Sequence, residues 1–254
     1  MITVLPCVDH LIGYKCLRYL LNLEEKGQIH IPYVITTENN KKGWWPSVNS
    51  LNLAKDILLF EDLRDLTNLE RPDYLLLLSW KHILSDEWIA FPKMQTINLH
   101  YSLLPKNKGS YPVNWSIINN ESFTGISYHL VNQNIDSGGL LIQRKIKISL
   151  KETTFSLLQK LDSWAYLCFI ELMDKICSGQ ELIIITNNNM EGSSHSRRDF
   201  DKIKKLQLTE KGSFLDFFNL LRGLSFQKDK PICYIEDENS GKKYGISINI
   251  KELE

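Results

Sequence analysis

The stretch QTINLHYSLLPKNKGSYPVNWSIINNESFTGISYHLVNQNIDSGG, residues 95–139, decides the fold of this chain. Its first residues are apolar and β-branched, which predicts a short strand that runs into His100. A turn-rich loop follows, and residues 124–131 predict a second strand before a polar loop that contains Asp136. Asn98, His100 and Asp136 therefore lie at strand ends. Polar side chains that converge there in an α/β protein indicate an active site.

Strands and helices alternate along the part of the chain that precedes this stretch. Residues 2–8 are a compact apolar run typical of a buried parallel strand, and residues 9–13 predict a turn before a helix over 14–23. Residues 29–36 predict a second strand, and the apolar run 73–79 predicts a central one. This order predicts an α/β fold with a mostly parallel, doubly wound sheet.

Shorter signals complete the pattern. They predict helices over 51–54, 63–69 and 112–119, a short helix capped by Ser85, and strands over 57–59 and 143–148. Residues 153–178 predict a long helix whose apolar set includes Trp164 and Leu167; we expect one face to pack against the core, with dimerisation through part of the helix as the weaker alternative. After residue 185 the chain becomes polar, and a helix over 213–222 precedes a hairpin of strands 232–235 and 245–250. We therefore predict two domains, residues 1–186 and 187–254.

Composition excludes several classes of protein. The 254 residues are 43% hydrophobic and 24% charged, typical of a globular protein, and 30 basic residues balance 30 acidic ones. This balance argues against a nucleic-acid partner. The five cysteines show no disulfide or metal-ligand spacing, which favours reduced thiols and predicts no metal site. Without a signal peptide or an apolar run of about 20 residues, we expect a cytoplasmic protein with no membrane partner.

The residues of the opening stretch carry a family resemblance. The pattern Asn98-x-His100-x-Ser-Leu-Leu-Pro, continued through Gly109, Pro112 and Trp115 to the Asp136-Ser-Gly triplet, resembles the signature of the folate-dependent formyltransferases. Residues 197–200 and 221–226 look like the C-terminal module of the sugar N-formyltransferases. The resemblance implies a Rossmann-like formyltransferase core, with a small α+β C-terminal module that ends in a β-hairpin.

The resemblance also implies a reaction in which an amine attacks the formyl carbon of N10-formyltetrahydrofolate. The residue types suit that chemistry. Asn98 can donate a hydrogen bond to the oxygen that gains negative charge, which contributes about 3 kcal/mol in comparable sites. His100 titrates near neutrality and can accept the proton of the amine, while Asp136 can orient His100.

The family places the pterin against backbone groups that follow the strand before the signature, which here are those of His82, Ile83 and Leu84. The loop over 131–136, with Asn134 and Asp136, is expected to cover the other face of the pterin. For the acceptor, we expect Lys81, Arg197 and Arg198 to bind a diphosphate and Phe226, Tyr234 or Trp45 to stack on a base. Ser102 and Tyr111 complete the predicted substrate-binding residues.

Several acceptors remain open. A dTDP-linked amino-dideoxy sugar fits best. By analogy with the family, we expect this sugar to be 4-amino-4,6-dideoxyglucose and the product to be used in O-antigen synthesis. Methionyl-tRNA fits less well, because the residues after 190 are few and close to neutral, whereas tRNA binding needs a basic surface. Glycinamide ribonucleotide would need a glycine-rich loop near residue 9. Hydrolysis of formyltetrahydrofolate is a further alternative, and a homodimer is a family expectation.

Overall fold

The computed structural model describes residues 1–37, 46–51, 53, 56–60, 68–185, 191–207, 211–226 and 231–253. Internal contacts divide the chain into two units. The first unit contains residues 1–100, 127–143 and 162–187, and the second contains residues 101–126, 144–161 and 188–254. Each unit therefore combines segments that are separated in sequence. The predicted boundary at residues 186/187 stays a prediction.

A mostly parallel sheet runs through the first unit, as the alternation of strands and helices predicts. The strand order is β4-β3-β1-β5-β6-β8-β9, and β2 pairs with β1. The pairs from β4 to β6, and the pair of β1 with β2, are parallel, whereas β6 and β8 are antiparallel. The predicted strand over 29–36 is divided into β2 and β3. The strands are β1 Ile2–Val8, β2 Ile29–His30, β3 Val34–Thr36, β4 Ile57–Leu59, β5 Tyr74–Leu78, β6 Gln95–His100, β8 Phe123–Leu130 and β9 Leu140–Lys147.

Helix α1, His10–Glu25, begins directly after β1, so the turn predicted over 9–13 is wrong. Gly13 accounts for the difference, because a glycine after a strand predicts a turn. A Cβ atom at Gly13 would lie 2.9 Å from the carbonyl oxygen of Leu78. Because glycine has no side chain, the helix can approach the strand closely at this position, and the glycine does not break the helix. Asp9 precedes the helix as a buried carboxylate that accepts hydrogen bonds from the side chain and the backbone amide of Thr37.

The other helices are α2 Asp86–Ile89, α3 Pro112–Ile118, α4 Thr154–Cys177, α5 Arg197–Lys202 and α6 Phe214–Gly223. Ser85 caps α2 as predicted. Trp164 and Leu167 are 43% and 55% exposed on α4, so these two members of the apolar set do not pack in the core. Residues 48–51 form a 3-10 helix. Three features predicted from the sequence lie wholly or mostly outside the described residues: the helix over 51–54, the helix over 63–69, and the tryptophan pair Trp44 and Trp45. Within the described ranges, no helix is both long and apolar enough to span a membrane.

The second unit contains two small sheets. Strand β7, Lys108–Gly109, pairs in parallel with β10, Ser194–His195, and the predicted hairpin is formed by β11, Cys233–Glu236, and β12, Lys243–Ile246. Helices α3 and α6 pack together in this unit. Its apolar core includes the buried side chains of Trp115, Phe200, Leu224 and Cys233. This arrangement confirms the α+β hairpin module.

Arg222 on α6 is a buried cation of the second unit, with 2% of its surface exposed. Its Nη1 donates to the carbonyls of Ser149, Leu150 and Glu152 at 2.9, 3.2 and 3.0 Å, and its Nη2 donates to Asn219 at 2.6 Å. Arg222→Met would leave these acceptors without their donor. We expect the free energy of unfolding to fall by about 2–3 kcal/mol, measured by urea denaturation.

The matched control is Arg198→Met on α5, because Arg198 is exposed. We expect this variant to unfold within about 0.5 kcal/mol of the parent protein. Equal stability of the Arg222 and Arg198 variants would show that the four acceptors of Arg222 do not contribute to folding.

Candidate active site

Asn98, His100 and Asp136 meet in the first unit. The Nδ1 atom of His100 lies 3.4 Å from Oδ2 of Asp136, and Nδ2 of Asn98 lies 3.5 Å from Oδ1 of the same carboxylate. The side chains of His100 and Asp136 are 8% and 12% exposed. The three residues predicted to be catalytic therefore form one largely buried cluster.

A fourth side chain, His129, completes this cluster. Its Nε2 lies 3.1 Å from Nδ2 of Asn98 and 3.4 Å from Oδ1 of Asp136, and its side chain is only 2% exposed. The rings of His129 and His100 are nearly perpendicular, with centroids 6.4 Å apart. His129 is not among the residues predicted from the sequence. Only the pairing of its strand with β6 could have indicated its position.

Strand register brings Asn98 and His129 together. Strands β6 and β8 run antiparallel, and Asn98 lies directly opposite His129 while His100 lies opposite Ser127. Opposed residues project from the same face of a sheet with Cβ atoms about 5 Å apart. Asn98 and His100 are two residues apart on one strand and therefore also share a face. The sheet thus supplies three of the four polar side chains from adjacent strands.

The loop between β8 and β9 supplies Asp136. Within it, Oδ1 of Asn132 accepts hydrogen bonds from the amide of Asn134 and the hydroxyl of Ser137, and this local turn contains Asp136 at a left-handed φ of 47°. Gly138 then brings the chain so close to β8 that a Cβ atom there would overlap the carbonyl oxygen of Leu130. This packing holds the carboxylate of Asp136 against the two histidines.

The cluster is suited to proton transfer. Because Asp136 faces Nδ1 of His100, the carboxylate favours the tautomer with the proton on Nδ1 and leaves Nε2 as the basic nitrogen. The amide of Asn98 provides a neutral N–H donor beside that base. In the described part of the chain, no group of three or more His, Cys, Asp or Glu side chains has the arrangement of a metal site.

The residues predicted to contact the pterin also lie in the first unit, after β5. Leu84 is 8% exposed and packs its side chain in the apolar core, whereas Ile83 is 80% exposed. No backbone–backbone hydrogen bond joins Ile83 or Leu84 to another described residue. His82 and Trp80 pack against Phe60, with ring centroids 5.1 and 5.0 Å away. An aromatic surface therefore adjoins backbone groups that a planar polar ligand can use.

One further polar group in this region is buried: Nε1 of Trp80 has no hydrogen-bond partner among the described residues. Lys81, the next residue, is exposed. Asn134 is exposed in the Asp136 loop, where its backbone amide and carbonyl bond to Asn132 and Ser137. The contacts predicted for Lys81, His82, Ile83, Leu84 and Asn134 stay predictions.

Six of the residues predicted to bind substrate lie in the second unit, and two of them are in contact. The Tyr111 hydroxyl accepts a hydrogen bond from the Arg197 guanidinium, which raises the pKa of Arg197, and the Tyr111 ring stacks on Phe200 with centroids 3.9 Å apart. Arg198 is the adjacent, exposed residue of α5. Helix α5 was not predicted, although its Ser196–Asp199 capping box is visible in the sequence.

The other three residues make contacts elsewhere in the second unit. Ser102 is fully buried and donates to the carbonyl of Lys106 at 2.6 Å. Phe226 packs edge-on against Phe155, and the ammonium of Lys243 lies 4.8 Å from the ring centroid of Tyr234. The substrate-binding roles of these residues stay predictions.

Curated proteins from other organisms are similar to part of this sequence. The chain is 32% identical over 178 residues to a methionyl-tRNA formyltransferase from Thermodesulfovibrio yellowstonii, covering 66% of this chain and 55% of that protein. It is 35% identical over 108 residues to a GDP-perosamine N-formyltransferase from Brucella melitensis, covering 42% of each. The chain thus spans about half the length of these curated relatives.

Among solved structures, the fold is similar to that of the N-formyltransferase from Helicobacter canadensis in complex with folinic acid and dTDP-3-aminofucose. The TM-score is 0.75 at 22% identity, over 94% of this chain and 85% of that one. A family model described as N-formyltransferase dimerization C-terminal domain matches residues 199–252. A second model, described as formyl transferase, matches residues 20–172, which is more than half of the 254 residues. The chain therefore belongs to the formyl transferase family.

Proposed function

We propose that this chain transfers a formyl group from N10-formyltetrahydrofolate to the amino group of a dTDP-linked amino-dideoxy sugar. The observation that carries this proposal is the cluster in which Asp136 contacts both His100, at 3.4 Å, and Asn98, at 3.5 Å. This cluster combines a base, a group that orients it and an amide donor. Acyl transfer to an amine needs all three.

Bound N10-formyltetrahydrofolate would supply a formyl carbon that is open to attack by an amine. His100 is the base: its Nε2 accepts the proton that the amine loses as the new C–N bond forms, and it returns a proton to N10 as the bond between N10 and the formyl carbon breaks and tetrahydrofolate leaves. Asp136 keeps the other ring nitrogen protonated and stabilises the charged imidazolium that results. Asn98 donates from Nδ2 to the formyl oxygen as negative charge develops on it, a contribution of about 3 kcal/mol.

The residues near the cluster fit a folate. The aromatic side chains of Phe60, Trp80 and His82 adjoin the backbone of Ile83 and Leu84, and the buried Nε1 of Trp80 has no partner in the described part of the chain. An aromatic surface beside polar backbone groups is what a pterin ring requires. The folinic acid bound to the Helicobacter canadensis relative supports this choice of donor.

A nucleotide-linked amino sugar is favoured as the acceptor by the second unit. Residues 199–252 match the C-terminal domain of the N-formyltransferases, and the Brucella melitensis relative carries the name of a sugar enzyme. Tyr111, Arg197 and the exposed Arg198 offer a hydroxyl and two cations for a diphosphate. We propose 4-amino-4,6-dideoxyglucose as the sugar, with the product used in O-antigen synthesis, and a homodimer formed through the second unit.

Methionyl-tRNA is the second candidate acceptor, because the Thermodesulfovibrio yellowstonii relative is named for it and matches 66% of the chain. The net charge of zero argues against this candidate, since phosphate contacts dominate RNA affinity.

The deciding experiment incubates the protein with N10-formyltetrahydrofolate and one acceptor at a time. The acceptors are dTDP-4-amino-4,6-dideoxyglucose, dTDP-3-amino-3,6-dideoxy sugars, GDP-perosamine and methionyl-tRNA. We expect mass spectrometry to show one added formyl group on the dTDP-4-amino sugar at the highest rate. Deformylated folate without any modified acceptor would indicate a hydrolase and reject the proposal. Formylation of methionyl-tRNA alone would transfer the assignment to the second candidate.

A further inference from the structure

His129 is a buried titratable residue to which the proposed mechanism gives no role. Its Nδ1 lies 2.8 Å from the carbonyl oxygen of Leu130, and its Nε2 lies 3.1 Å from Nδ2 of Asn98. Only 2% of its side chain is exposed, so bulk water does not compete for these two contacts. Its two nitrogens therefore have fixed and different functions.

The contacts determine the tautomer of the neutral ring. A carbonyl oxygen only accepts hydrogen bonds, so Nδ1 of His129 carries the proton that is donated to Leu130. Nε2 is then unprotonated and presents a lone pair. Two groups face Nε2: Nδ2 of Asn98 at 3.1 Å and, farther away, Oδ1 of Asp136 at 3.4 Å. Of these only the amide has a hydrogen to donate, so Asn98 donates an Nδ2 hydrogen to the lone pair of the neutral ring.

This acceptor determines the orientation of the Asn98 amide. A rotation of the amide by 180° would place Oδ1 of Asn98 against two acceptors, Nε2 of His129 and Oδ1 of Asp136. Both contacts would become repulsive. In this orientation one Nδ2 hydrogen is donated to His129, and the second, which faces Oδ1 of Asp136 at 3.5 Å, is the N–H that can turn to the formyl oxygen of the substrate.

Asp136 alone is a weaker constraint on this orientation. Its contact with Nδ2 of Asn98 is 3.5 Å, at the limit of a hydrogen bond, and its other oxygen is engaged by His100. The distance from Nδ2 of Asn98 to Nε2 of His129 is 3.1 Å, which is 0.4 Å shorter than the 3.5 Å to Asp136. The His129 ring is also held at its Nδ1 atom by the carbonyl oxygen of Leu130. His129 therefore fixes the orientation of the Asn98 amide, whereas Asp136 orients His100.

We propose that His129 is a positioning residue for formyl transfer, which acts by holding the Asn98 amide with its N–H donor towards the cluster. The inference rests on the proposed function, because the donor matters only if negative charge develops beside it. It predicts that what matters at position 129 is an uncharged acceptor at the location of Nε2, and not the imidazole ring as such.

Two substitutions separate these requirements. His129→Leu removes the acceptor, and we expect kcat to fall by roughly tenfold or more while KM for both substrates stays within about twofold, because the lost interaction acts only on developing charge. His129→Gln places a carbonyl oxygen near the position of Nε2, and we expect it to restore kcat to within about threefold of the parent. The matched control is His30→Leu, since His30 is a partly exposed histidine of the same unit outside the cluster.

A spectroscopic measurement tests the orientation without requiring the correct acceptor substrate. In protein labelled with ¹⁵N-asparagine, the Asn98 side-chain amide signals, identified by their absence in Asn98→Asp, should shift in His129→Leu and return in His129→Gln. Unshifted Asn98 signals in a folded His129→Leu protein would overturn the proposal, as would an unchanged kcat. If the parent protein formylates no acceptor but the signals behave as expected, the proposed function fails while the positioning of Asn98 stands.

Discussion

His100→Asn is expected to lower kcat for formyl transfer by about 10²-fold or more, because it removes the proposed base, whose Nδ1 contacts Asp136 and whose Nε2 accepts the proton. Asparagine is close in size to histidine and can still donate to Asp136, so the site should keep its shape. Steady-state kinetics at saturating donor and acceptor would measure the loss. KM for N10-formyltetrahydrofolate should change by less than about threefold, since His100 is not among the residues proposed to hold the pterin.

Asp136→Asn is the companion variant, with an expected loss of similar size. The amide oxygen of asparagine can still accept the Nδ1 proton of His100, but it no longer offers a charge to stabilise the imidazolium. Residues that act as one unit are not additive. The double variant should therefore lose little more than either single one.

His30→Asn provides the control for these variants, since it removes a partly exposed histidine from the same unit. The proposed mechanism requires that His30→Asn keep its rate. If His100→Asn retains the parent rate while remaining folded, or if the two losses simply multiply in the double variant, His100 and Asp136 do not act together as base and orienting group.

Gly138→Ala is expected to reduce kcat by about tenfold or more and to lower the free energy of unfolding by about 1–3 kcal/mol. A Cβ atom at Gly138 would overlap the carbonyl oxygen of Leu130 and approach the carbonyl carbon and Cα of that residue. These are backbone atoms of β8, and they cannot move aside as a flexible side chain can. The same carbonyl accepts the Nδ1 proton of His129, and the amide of Leu130 donates to Gly139 at 2.9 Å.

The loop that carries Asp136 would therefore have to move away from β8 to admit one methyl group. That movement separates the carboxylate from His100, so the loss of activity should exceed what the loss of stability explains. Urea denaturation and kinetics measured under conditions where the variant is fully folded would separate the two effects.

Gly212→Ala is the matched control for the glycine substitution. A Cβ atom there would meet side-chain atoms only, the nearest a ring carbon of Phe217 at 3.3 Å. We expect near-parent activity from this control. If Gly138→Ala also keeps its activity, then the approach of the loop to β8 does not position Asp136.

Much of the first unit could be predicted from the sequence because its signals are local. The apolar runs of β1 and β5 and the Ser85 cap of α2 each depend on a few neighbouring residues, and the same holds for the hairpin of the second unit. Asn98, His100 and Asp136 could be named as candidate catalytic residues for a different reason, since they are joined by a loop whose order and spacing resemble a known family.

The remaining features depend on contacts between distant residues. Gly13 predicts a turn because a single glycine is found both in turns and where a helix approaches a strand closely. The sequence around Gly13 does not distinguish these cases, whereas the position of Leu78 in the fold does. Trp164 and Leu167 carry an apolar signal on α4 but are exposed, since hydrophobicity alone does not state which face of a helix meets its neighbours. The two units combine segments that no local pattern connects.

By itself, the sequence determined the α/β sheet, the hairpin module and the family pattern that names an asparagine, a histidine and an aspartate as candidate catalytic residues. The tertiary structure alone decided that His129 joins them. His129 is 31 residues from Asn98 along the chain, and the two meet because β6 and β8 pair antiparallel in one register. A shift of one residue would turn His129 to the opposite face, and the energy that fixes the register comes from the packing of the whole sheet.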